Sequence, residues 1–79
     1  MSEERLIQQG MIVERKQQLM DAMVKGKKEL QALLNCAMLA KGKDLEHIDI
    51  AALNTHLDAL SEHQATTIRL IREIAELSE

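Results

Sequence analysis

The chain contains no proline, and one apolar periodicity runs from Ile12 to Ala40 without a slip. Ile12, Lys16, Leu19, Met23, Gly26, Leu30, Leu33, Ala37 and Ala40 alternate steps of four and three. That is the repeat of a helix laying one stripe along a neighbouring helix. A proline inside the run would remove a backbone donor and break the rod. A second row, Val13, Met20, Lys27 and Leu34, recurs every seven residues and widens the stripe. The pattern predicts a helix over about residues 3–41, with Glu3 and Glu4 at the end where the helix dipole favours negative charge.

The second half repeats the design. Ile50, Leu53, Leu57, Leu60, Gln64, Thr67, Ile71, Ile74 and Ser78 alternate steps of three and four, and Ile68, Leu70, Ala75 and Leu77 broaden the face. Asp49 is a favourable N-cap, which sets a helix over about residues 49–77. Between the arms lies "AKGKDLEHID". Gly42 is suited to a left-handed helix cap there. Lys41 and Lys43 fall at the negative end of one helix, and Asp44, Glu46 and Asp49 at the positive end of the next. The reversal is therefore expected at about residues 42–48.

Gly26 decides between two architectures. A helix stop there would need a new cap, yet Lys27, Lys28 and Glu29 follow, and the apolar phase continues unshifted. The favoured fold is all-α: a single domain over residues 1–79 that forms a long antiparallel helical hairpin and dimerises into a four-helix bundle. The alternative is a three-helix bundle broken near Gly26. Folding the chain about residue 44 or 45 sets Gly26 and Lys27 opposite Glu62–Gln64. Gly26, Lys27, Gln64 and Thr67 then form a polar layer in the seam, a device that fixes register.

Two helices shield one stripe each, and backbone ordering costs about 1–2 kcal/mol per residue. Both faces are wider than one neighbour covers. Leu6, Ile7, Met11, Val13 and Met20 on the first arm and Ile68, Leu70, Ala75 and Leu77 on the second are the surplus, gathered away from the loop. A second copy of the chain, or a helical segment of another protein, is the expected cover.

The remaining residues offer little chemistry. His56 and His63 are seven residues apart, about 10 Å along a helix, too far to share one metal unaided. Cys36 has no histidine at a nucleophile's spacing. No phosphate loop, nucleophile elbow or calcium loop occurs. No catalytic residue, metal ligand or cofactor is assigned. The single cysteine precludes an internal disulfide and suits a reducing cytoplasm, and no apolar run reaches the roughly 18 residues of a membrane span.

The net charge of −3 gives no general attraction to nucleic acid, and no aromatic side chain is present to stack on bases. The design resembles small two-helix adaptor, antiactivator and secretion-chaperone proteins in architecture, with no motif in common. The expected role is a non-enzymatic protein–protein interaction module, acting as adaptor, regulator or chaperone on a helical partner. The alternatives are a nucleic-acid-associated regulator using Arg15, Lys16, Lys25, Lys27 and Lys28, or a structural subunit of a larger assembly.

Overall fold

The computed structural model describes residues 2–79. Helix α1 runs over Ser2–Lys41, a single 3-10 turn follows at Leu45–His47, and helix α2 runs over Ile50–Leu77. The helices lie antiparallel in a rod of 65 × 14 × 13 Å. Its radius of gyration is 18.3 Å, against about 12 Å for a compact globule of this length. The hairpin is thus the architecture, and the three-helix alternative is not adopted.

Gly26 lies inside α1 and has no positive φ. Nothing after it could cap a new helix, so the glycine is carried as a helical residue at a cost of about 1 kcal/mol relative to alanine. Lys41 occupies the last turn of α1, and Asp49 caps α2 by accepting a hydrogen bond from the Ala52 amide at 3.0 Å.

The turn departs from expectation at Gly42, which does not adopt the left-handed cap. The chain leaves α1 by tightening instead: the Gly42 amide reaches the Leu39 carbonyl at 3.2 Å and the Lys43 amide reaches Ala40 at 3.0 Å. Asp44 and Ile48, both extended, bracket the 3-10 turn. With seven residues available over 42–48, the reversal is spread along the segment, and no residue has to take a positive φ.

The seam between the helices differs from the expected stripe in a regular way. Every seventh residue is as anticipated: Ile12, Leu19, Gly26, Leu33 and Ala40 face Leu53, Leu60, Thr67 and Ile74, all buried or half-buried. The alternate positions are displaced by one residue. Arg15, Ala22, Glu29 and Cys36 enter the seam in place of Lys16, Met23, Leu30 and Ala37. On α2, His56, His63, Leu70 and Leu77 enter in place of Leu57, Gln64, Ile71 and Ser78.

The physical reason lies in the charges. In the expected phase Lys16 would take the inward position that Arg15 occupies, and a charge enclosed there is costly unless it is paired. The observed phase gives each inward charge a partner. Arg15 Nε lies 3.2 Å from Glu73 Oε2, which receives no directed hydrogen bond. Glu29 Oε1 lies 2.7 Å from His56 Nδ1. Near the open end the Gln8 side-chain amide donates to the Leu77 carbonyl. Ala22, Gly26, Cys36 and Ala40 place small side chains in the seam between the larger Ile12, Leu19 and Leu33.

Candidate interaction surface

The cost of this seam is what it leaves outside. Among the described residues only Ala22 and Leu70 are buried, whereas sixteen large apolar side chains are at least 38% exposed. A hairpin stabilised by its own core would do the reverse, because burying a leucine-sized side chain is worth about 1.5–3 kcal/mol.

These apolar groups are ordered by the antiparallel geometry. The rows displaced from the seam, Met23 and Leu30 on α1 and Leu57 and Ile71 on α2, flank it on the same side. Met23, Leu30 and Leu57 line a trough of about 430 Å³ together with Ala22, Gly26, Lys27, Leu60, Ser61, His63, Gln64, Thr67 and Ile68. Beyond them a second row crowns each helix: Val13, Met20 and Leu34 on α1, and Ile68 and Ala75 on α2. The crowning side chains are more open, with Met20 67% and Val13 64% exposed against Met23 at 49% and Leu30 at 45%. The opposite groove is lined by Gln18, Asp21, Lys25, Thr66 and Arg69 together with Ala22, His63 and Leu70, and is largely polar. One flank of the rod is therefore aliphatic and two helices wide, and the other is polar.

The four residues expected to form a polar layer all line the trough. Gly26 faces His63, whose Cβ lies 3.6 Å from where a Cβ on Gly26 would stand. The Thr67 hydroxyl turns back to the His63 carbonyl at 2.8 Å. Lys27 and Gln64 are exposed and point no charge or amide into the seam.

The surplus apolar residues divide into three groups. Val13, Met20 and Ile68 stand on the aliphatic flank. Leu6 and Ile7 are exposed near the start of α1, past the level of the Gln8–Leu77 contact, and Met11 is 38% exposed. Leu70 is 1% exposed and Leu77 half-buried. Both therefore belong to the seam, and the surface position assigned to Leu70 passes to Ile68 and Ile71. The one-residue shift of phase moved it. The exposed apolar strip also continues to the loop end through Leu34, Leu57 and Ile50, where the pattern had suggested an accumulation at the open end only.

The basic residues do not share a face. Arg15 is engaged with Glu73, Lys25 pairs with Asp21 at 3.0 Å on the polar side, and Lys27 lines the trough. His56 and Cys36 sit half-buried in the seam. One cluster was not legible as a helical spacing: the 3-10 turn brings donor atoms of Asp44, Glu46 and His47 within 4.8 Å of one another, all exposed. Three donors on an open turn fall short of the six to eight oxygens that calcium takes and of a closed four-ligand zinc site. No described helix is long and apolar enough to cross a membrane.

No protein-family model matches this sequence, and no curated protein or solved structure gives a significant match.

Proposed function

We propose that the chain is a non-enzymatic protein–protein interaction module that acts as adaptor, regulator or chaperone by covering a helical surface of another chain with its aliphatic flank. One observation carries this reading. Among the described residues the hairpin fully buries only Ala22 and Leu70, and a run of larger aliphatics, Val13, Met20, Met23, Leu30, Leu57, Ile68 and Ile71, stays exposed along one outer flank, where another polypeptide can remove them from water. Contiguous exposed apolar surface of this kind marks an interaction site in a soluble chain, and amphipathic helices dock in grooves between helices through anchors at helical spacing.

The test is site-specific photo-crosslinking in cells that express the protein. A photoreactive residue replaces Ser61, which lines the trough, or Thr55, which lies outside both grooves. The expected outcome is a discrete polypeptide adduct, of any identity, from position 61 and none from position 55. Absence of an adduct at 61, or equal yields at both positions, refutes the assignment.

A further inference from the structure

The aliphatic flank is two helices wide, and its width limits what can cover it. A single helix laid in the trough would meet Met23, Leu30, Leu57 and Ile68 but would leave the crowning side chains Val13 and Met20 in water. Covering both rows takes two helices side by side at helix-packing distance, about 8–10 Å. The hairpin itself has that form.

The surface area agrees. The chain exposes 6459 Å² at a mass of 8.9 kDa, whereas a compact monomer of that mass would expose about 4,800 Å². The excess is roughly 1,600 Å² per chain. Two chains burying it would remove about 3,300 Å², within the range of obligate homodimers; burying half would still match a standard stable interface.

Charge then selects the orientation. Between Val13 and Leu34 the flank's two charges, Lys16 and Lys27, both lie on α1, and the corresponding rows of α2 carry none. Stacking α1 on its own copy in reverse sets the two lysine-bearing rows against each other. Stacking α1 on the α2 of a second copy, with both loops at the same end, avoids this. The Gly26–His63 and Glu29–His56 contacts place Lys27 at the level of residues 58–62. There it would meet the uncharged Ser61 and lie within reach of Asp58 on the outer edge of α2. Opposite charges across an interface favour one register, and like charges disfavour the other.

We infer that the aliphatic flank pairs with a second copy of this chain about a twofold axis parallel to the helices, α1 of one chain on α2 of the other, loops together. The inference rests on the reading of the flank as an interaction surface and names its occupant. The experiment uses the purified full chain, sedimentation across micromolar concentrations, and spin labels on Lys43→Cys in a Cys36→Ala background. The expected result is a dimer whose loop labels lie about 10–20 Å apart, the scale of neighbouring and diagonal helices. Leu57→Glu should sediment as a monomer while retaining helical circular dichroism. Ile68→Glu provides the second test should Leu57→Glu fail to fold.

A dimer with loop labels about 50 Å apart, the separation expected for reversed rods, overturns the orientation. A monomer at every concentration overturns the second copy as occupant. If position 61 still crosslinks to a different protein in cells, the interaction reading survives that failure; if it crosslinks to nothing, both fall.

Discussion

Gly26→Ala tests how closely the two helices approach. Gly26 is helical, so alanine needs no change of backbone. The added methyl would meet the His63 Cβ at 3.6 Å, an ordinary van der Waals contact. Two gains follow: about 0.8–1.0 kcal/mol of helix propensity and a few tenths of a kcal/mol from a methyl shielded on one side, about half of a fully buried carbon. Together they come to about 1.2 kcal/mol, or a rise of roughly 5–10 °C in the unfolding midpoint for a chain of this size. The assay is thermal unfolding followed by circular dichroism at matched protein concentration, because self-association makes the midpoint depend on concentration. Gly10→Ala is the control. No atom lies within 4 Å of its added methyl, so it gains propensity alone, and less of it near a fraying terminus. A lower midpoint for Gly26→Ala, with a normal response at Gly10, would refute the geometry and show that the rods touch at Gly26 more tightly than a methyl allows.

Two further substitutions probe the seam and the turn. Leu70→Ala removes the one large side chain that is fully buried among the described residues and should cost about 2–5 kcal/mol, read as a lower midpoint of the cooperative urea transition. Asp49→Ala removes the acceptor for the Ala52 amide and should lower stability by about 0.5–2 kcal/mol in the same assay.

The elements of this protein are legible because they rest on local physics. Without proline, and with no capping residue after Gly26, α1 had to be continuous. Asp49 marks the start of α2 through a hydrogen bond made within three residues. The turn was legible in position but not in form, since a glycine permits a left-handed cap without requiring one, and the length of the connection settled the matter. The Asp44, Glu46 and His47 cluster is not legible from α-helical spacing, because a 3-10 turn gathers neighbours differently.

The phase of the seam was legible only in part. Hydrophobicity ranks Met23 above Ala22, Leu30 above Glu29 and Leu57 above His56, so a search for the greasiest stripe selects the displaced rows. That ranking holds for a helix with one neighbour. Here each apolar face is broad enough for two, and periodicity cannot say which half faces the sister helix.

The amino-acid sequence by itself determined two rods, their direction, their level of pairing near Gly26 and His63, and a surplus of apolar surface, because helix propensity, capping and heptad spacing act between residues close along the chain. Only the tertiary structure decided which flank is turned inward. That choice depends on whether Arg15 finds Glu73 and Glu29 finds His56 across the gap. These energies exist only once distant residues are brought together.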